Sequence, residues 1–190
     1  FILPYTIGDF LASRIQVPKT DINNPAFAEA EKAIKERVAK LFAIKGKQPV
    51  DHFHKELGHI MWDFVGMARN EEGLKKAVKD IKVLREEFYK DLFVPGENSE
   101  FNQELEKALR VSDFLEMGEL MALDALMRRE SCGGHFREEM QTEDGETLRD
   151  DENYMYVSTW EYMGEGKEPV KHKEPLKYEF VKTATRNYKD

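Results

Sequence analysis

The chain has 190 residues and a mass of 22.2 kDa, which is enough for one hydrophobic core. Its 41% hydrophobic and 35% charged residues are typical of a soluble, globular protein. The formal net charge of −8 argues against a protein that binds nucleic acid or anionic membranes through a basic face. A single cysteine, Cys132, excludes an internal disulfide and an iron–sulfur cluster held by this chain alone, and it indicates a reducing compartment.

The first residues, from Phe1 to Leu11, are more apolar than a frayed terminus usually is. We expect residues 1–20 to belong to an element of a larger body. The alternative is an edge strand or a short helix that docks on the core of this chain.

Four amphipathic segments with short connections follow, and they predict a mainly α fold. We expect an antiparallel bundle of three to four helices over residues 21–130. Gly118 marks a kink or a close helix crossing in the last of them. The first helix is predicted to begin at Asn24-Pro25, the second near Val50, the third after the cap Asn70, and the fourth to run from Ser99 to about Arg129.

The character of the chain changes at Glu130, and we expect residues 131–190 to form a charged turn and an extended, partly β tail. The aromatic run from Tyr154 to Tyr162 predicts one strand, and the apolar residues between Leu176 and Val181 predict a second.

A dense set of charged side chains surrounds Gly133-Gly134. The glycines do not form a phosphate loop, because no strand precedes them and no Lys-Ser/Thr pair follows. They are predicted to allow positive φ and close backbone approach. Cys132 and His135 provide two ligands where structural zinc needs four, so we interpret Cys132 as a small packed side chain at a tight turn rather than a reactive thiol.

The charged side chains permit two interpretations. They could serve acid–base chemistry, or they could form a buried network of ion pairs and hydrogen bonds at an interface, and we predict the second. The members of this set are Glu130, Arg137, Glu138, Glu139, Arg149, Asp150, Asp151 and Glu152.

A second candidate site lies on the helix predicted from Val50. His52, Glu56 and His59 share one helical face, as the ligands of a metal would, but their spacing is not that of a metalloprotease helix. We interpret them as a solvated face.

The run Glu130-Ser131-Cys132-Gly133-Gly134-His135-Phe136-Arg137, followed by Arg149-Asp150-Asp151-Glu152-Asn153, resembles a signature of the flavoprotein subunits of succinate dehydrogenase and fumarate reductase. The segments Gly66–Arg69, Ile81–Arg85 and Asn98–Asn102 and the ending Arg186-Asn187-Tyr188 also resemble that family. Cys132 stands where many members carry Arg, and Gly134 replaces a common Ala, as in a bacterial branch of the family.

The resemblance implies that this chain is the C-terminal helical domain of such a subunit, with residues 1–20 leaving the FAD-binding domain. The parent would interconvert succinate and fumarate on FAD and pass electrons to an iron–sulfur subunit and quinone. It would lie peripherally on the cytoplasmic side of the inner membrane, attached through a cytochrome b anchor. Within this chain the resemblance assigns no catalytic, cofactor or metal residue, and the signature residues are expected to serve structure and assembly.

Two alternatives stay open at this point. One is the helical domain of a related flavoenzyme such as L-aspartate oxidase, whose chains carry a similar Glu-Ser-Arg-Gly run. The other is a helical adaptor with no enzymatic parent. The tail with Trp160 and Tyr178 favours the dehydrogenase and reductase interpretation.

Overall fold

The computed structural model describes residues 3–14, 21–97, 101–164 and 166–184. The chain divides into two compact units, residues 1–40 and residues 41–190. The first unit contains helix α1, Leu3–Arg14, and most of helix α2, Pro25–Ile44. As predicted, Asn24 begins α2, because its Oδ1 accepts a hydrogen bond from the backbone N–H of Ala26 at 3.0 Å. The division of the chain predicted from sequence stays an expectation.

The second unit is built on a bundle of helices, so the predicted mainly α fold is confirmed. Asn70 caps the middle helix, with its Oδ1 2.8 Å from Gly73 N, as the sequence predicted. Apolar side chains at helical spacing meet in one core, which also includes Leu41 from the last turn of α2. The bundle helices are α3, Val50–Val65; α4, Glu71–Asp91; and α5, Gln103–Met127.

Two short parallel strand pairs join the ends of these helices. Strand β1, Gln48–Pro49, pairs with β3, Leu92–Phe93, so the start of α3 lies beside the end of α4. Strand β2, Ala68–Arg69, pairs with β4, Phe136–Arg137, so the segment that follows α5 lies beside the start of α4. The three helices therefore run antiparallel, as predicted.

Gly118 marks a close helix crossing. A Cβ added to Gly118 would lie 3.3 Å from Leu57 Cδ1 and 3.3 Å from Met61 Sδ, both on α3. Helix α5 continues through this position. The glycine thus lets α5 approach α3 more closely than a larger residue would allow.

The start of α5 differs from the prediction. Asn102 is its cap, with Oδ1 3.0 Å from Leu105 N, whereas Ser99 lies outside the described residues. Phe101, which lies within the predicted helix, precedes α5 and is exposed. The side-chain oxygen of an asparagine accepts an N–H well at a helix start, and Asn102 does so here.

The tail forms an antiparallel hairpin of β5, Tyr156–Glu161, and β6, Val170–Pro175, after the single-turn helix α6, Asp151–Tyr154. The first strand was predicted, but the second lies before the apolar residues that were expected to form it. None of the helices in the described part of the chain is both long and apolar enough to cross a lipid bilayer.

Candidate functional site

The signature run begins with a tight hairpin turn. Cys132 and His135 exchange two backbone hydrogen bonds of 2.9 and 3.1 Å. Gly133 has φ +58° and Gly134 has no positive φ, which is the pattern of a type II′ turn. A Cβ on either glycine would meet nothing within 4 Å, so the predicted close approach is wrong. The prediction of a packed thiol is also wrong, because Cys132 is exposed.

The imidazole of His135 joins two arginines. Its Nε2 lies 2.9 Å from the carbonyl oxygen of Arg128, and its Nδ1 lies 2.8 Å from Nη1 of Arg69. Because a carbonyl only accepts and a guanidinium only donates, Nε2 carries the proton and Nδ1 accepts. This arrangement uses the neutral ring, and burial together with the nearby charges of Arg69, Arg137 and Arg128 lowers the pKa of His135, against a weaker opposing effect of the Arg128 carbonyl.

Arg137 is a buried cation, with 1% of its surface exposed. Its Nη1 donates to the carbonyl oxygens of Ala125 at 3.1 Å and Leu126 at 3.2 Å, in the last turn of α5. Its Nε donates to Oε2 of Glu139 at 3.1 Å. The guanidinium thus satisfies carbonyls that the helix leaves without partners and places positive charge at the negative end of the helix dipole.

The two glutamates after Arg137 hold the start of α4. Oε1 of Glu139 accepts the backbone N–H of Glu71 at 2.5 Å, and Oε2 of Glu138 accepts from the side-chain amide of Asn70 at 2.8 Å. Burial acts to raise the pKa of Glu139, but the hydrogen bonds from backbone N–H groups, chiefly that of Glu71, and from Arg137 outweigh it and leave that pKa below its usual value. A carboxylate at a helix N-terminus is stabilised by the helix dipole.

Glu130 connects the two halves of the signature. It is buried, with 3% of its surface exposed. Its Oε1 accepts from Nη1 of Arg128 at 2.7 Å, and its Oε2 accepts from the backbone N–H of Asp150 at 3.0 Å. Because both carboxylate oxygens have partners within the chain, Glu130 is a structural anion rather than a free acid or base.

The second half of the signature is a surface ion pair followed by a capped turn. Nε and Nη2 of Arg149 donate to the two oxygens of Asp151 at 2.5 and 2.7 Å, and this contact lowers the pKa of Asp151. Oδ1 of Asp150 accepts the N–H of Asn153 at 3.1 Å and caps α6. Glu152 is exposed.

The arrangement accounts for structure better than for acid–base chemistry. Glu130, Arg137 and His135 direct their polar atoms to partners in this chain, whereas Glu138, Glu139 and Glu152 are exposed. The role of the set at an interface stays a prediction. Within the described ranges, no group of three or more His, Cys, Asp or Glu side chains is placed to hold a metal ion.

A family model described as fumarate reductase flavoprotein C-term matches residues 54–188, which include the whole signature, most of α3, and α4 and α5. The chain belongs to this family.

Curated family members give the same result. The fumarate reductase flavoprotein subunit of Haemophilus influenzae is 27% identical over 187 residues, or 98% of this chain and 30% of that protein. That of Escherichia coli is 30% identical over 133 residues, or 70% of this chain and 21% of that protein. The chain thus spans less than a third of the length of these relatives.

A solved structure shares the family fold. A variant of Escherichia coli quinol fumarate reductase superposes with a TM-score of 0.75 at 23% identity, over 88% of this chain and 28% of that one. The resemblance found in the sequence is confirmed at the level of the family and the fold.

The sequence did not predict that Arg69 belongs to the network of hydrogen bonds around His135 and Arg137. Arg69 lies on β2, 66 positions before His135, and its role depends on the parallel pairing of β2 with β4. The run Gly66–Arg69 resembles the family, but a two-residue strand gives no periodic signal. Arg69 lies four residues after the end of α3 and directly before the cap Asn70, and this position alone does not indicate its contact with His135.

Proposed function

We propose that this chain is the C-terminal helical domain of a succinate dehydrogenase or fumarate reductase flavoprotein subunit. The match of the family model to residues 54–188 carries this proposal. The parent would interconvert succinate and fumarate on FAD and deliver or receive electrons through an iron–sulfur subunit linked to quinone.

The part of the chain that the structure describes does not fit a dinucleotide. Its parallel strands are pairs of two residues, and no glycine-rich turn leads from a strand into a helix. We therefore place FAD and the reacting groups on the FAD-binding and capping domains of the parent, and we assign no chemical step to this chain.

The role we propose for the domain is support and assembly. Arg137, Glu139 and His135 connect the end of α5 to the start of α4. A network of this kind fixes the shape of a surface, which suits a domain that supports the FAD domain and faces the iron–sulfur subunit. The parent would then be a peripheral protein on the cytoplasmic side of the inner membrane, bound through a cytochrome b anchor.

The proposal is tested by raising antibodies against the chain and recovering the native antigen from source-cell extract. Its mass, flavin fluorescence, succinate-dependent dye reduction and co-purifying proteins are then measured. We expect a much larger flavin-bearing chain together with an iron–sulfur protein. A flavin-bearing chain that oxidises L-aspartate and has no such partner would replace the proposal with the oxidase relative, and a 22 kDa antigen without flavin would overturn it.

A further inference from the structure

A cleft of about 670 Å³ lies between the second half of the signature and the β5–β6 hairpin. Its volume is in the range of ligand-binding clefts. The cleft is formed within residues 127–173, so its walls belong to the second compact unit alone.

The charge of the cleft is opposite to that of the chain. Four cations line it, Arg129, Arg149, Lys171 and Lys173, against a single carboxylate, Asp150. The whole chain has a net charge of −8. A local excess of positive charge on an acidic protein focuses an attractive potential for anions at this cleft.

Two of the four cations have carboxylate partners. Lys171 Nζ lies 3.3 Å from Asp124 Oδ1, and Arg149 is paired with Asp151. Arg129 and Lys173 are exposed and have no ion pair among the residues that the structure describes. Nζ of Lys173 lies 4.5 Å from the ring centre of Tyr156, which holds the ammonium group over the cleft wall.

The cleft also has apolar surface between its charges. Met127, Met140 and Leu148 contribute to its lining beside the aromatic ring of Tyr154. A small inorganic anion would leave this surface uncovered. A peptide that alternates carboxylate and apolar side chains would match both the cations and the apolar surface.

We propose that this cleft binds an acidic segment of a partner protein, with carboxylates at Arg129 and Lys173 and an apolar side chain between them. This proposal rests on the proposed function, which gives the surface shaped by the signature residues a partner protein. The cleft adds the chemistry of that partner. The cleft remains open at its rim, which suits a segment of another chain better than an enclosed small molecule.

The test measures fluorescence anisotropy of a labelled heptapeptide that alternates glutamate and leucine, titrated with the 190-residue chain at low salt. The same peptide with lysine for glutamate is the charge control, and citrate and inorganic phosphate are the small-anion competitors. The double variant Arg129→Glu with Lys173→Glu should weaken binding about tenfold or more, because like charges then face the carboxylates. The matched control is the double variant Lys167→Glu with Lys177→Glu. It changes the net charge by the same amount, and both residues are exposed and lie outside the cleft.

Preferential binding of the acidic peptide, lost in the first double variant and kept in the second, is the expected result. Equal loss in both variants, or no preference over the lysine peptide, would overturn the proposal. Tighter binding of citrate or phosphate than of the peptide would also overturn it, because the cleft would then be a small-anion site. Circular dichroism checks that each variant is folded. If the double variant with glutamate at positions 129 and 173 does not fold, the double variant Arg129→Gln with Lys173→Gln is measured in its place. The titration needs neither flavin nor succinate, so its failure differs from a failure of the proposed function.

Discussion

The indole Nε1 of Trp160 donates a hydrogen bond to Oδ1 of Asp124 at 3.0 Å, and this bond joins the tail hairpin to α5. Lys171 Nζ, on a side chain that is only 9% exposed, lies 3.3 Å from the same oxygen. One carboxylate thus satisfies groups from both strands of the hairpin. It is one of the contacts that attach the hairpin to α5, together with the hydrogen bond from Nη2 of Arg128 to the carbonyl oxygen of Tyr156 at 2.9 Å.

Asp124→Ala is expected to loosen the hairpin without unfolding the bundle. Removing the carboxylate leaves a mostly buried ammonium without its partner and takes the acceptor from the indole. Hydrogen exchange of the amides in residues 156–161 should become about tenfold faster, while α3 and α4 stay protected. Glu116→Ala, at an exposed position of α5, is the matched control and should leave both regions unchanged.

Arg137→Ala is expected to lower the free energy of unfolding by about 3 kcal/mol, because carbonyls of the last turn of α5 lose a charged donor inside the protein. Urea denaturation monitored by circular dichroism measures this change. Arg110→Ala is the control, since that side chain is 67% exposed and pairs with Glu106 one turn away. We expect its effect to stay within about 0.5 kcal/mol, and an equal loss in the two variants would contradict the structural role of Arg137.

The stability of the chain is expected to depend on pH through His135. Its pKa in the folded state is lowered from 6.5, so below that value the unfolded state binds more protons than the folded state. The free energy of unfolding should therefore be fully maintained above pH 6.5 and fall as the pH decreases toward the folded pKa. Denaturation between pH 7 and pH 5 should show a smaller decrease for His135→Gln than for the wild type. His59→Gln, at an exposed position on α3, should keep the wild-type profile.

Adding a side chain should change the free energy of unfolding in opposite directions at two helical glycines, Gly58 and Gly118. Gly58 is exposed on α3, and a Cβ there meets nothing within 4 Å, so Gly58→Ala should stabilise the chain by about 0.5–1 kcal/mol. Gly118→Val should destabilise it by about 1–3 kcal/mol, because the added methyl groups reach α3. Thermal unfolding of the two variants compares them directly, and a stable Gly118→Val would contradict the close crossing.

In the full-length parent, Asp151→Ala is expected to weaken subunit association more than it changes the KM for succinate. Both oxygens of Asp151 hold the guanidinium of Arg149 in one position on the surface that we propose faces the iron–sulfur subunit, and without them the shape of that surface is lost although its positive charge increases. We expect association to weaken about fivefold, with KM within about twofold of the wild type. Gel filtration of the complex and steady-state kinetics separate the two effects. A large rise in KM with unchanged association would contradict the assembly role.

Residues that act over a short stretch of sequence were predictable. Asn24 and Asn70 cap helices because an Asx side chain reaches the N–H groups just after it. The positive φ of Gly133 was likewise predicted from the Gly-Gly pair. Pairings between distant segments were not predictable, since β2 and β4 have two residues each and therefore no periodicity.

The second strand of the tail was misplaced for a different physical reason. Strand β6 is rich in Lys and His, whereas a strand is predicted from the alternation of apolar and polar residues. Its lysines are compatible with a strand because Lys171 and Lys173 lie over aromatic rings contributed by β5, at 5.6 and 4.5 Å from the ring centre of Tyr156. Cross-strand cation–π contacts here take the place of an apolar face.

The hydrogen bond from Glu71 N–H to Glu139 joins residues 68 positions apart. At a synthesis rate of roughly 5–20 residues per second, the ribosome would deliver Glu139 some 3–14 s after Glu71. The opposite end of the α3–α4 pair is complete as soon as β3 has emerged. For those seconds the nascent pair of helices α3 and α4 would have its β1–β3 pairing, while the first turn of α4 would lack the carboxylate of Glu139. The contacts of the signature run would therefore be the last of the bundle to form.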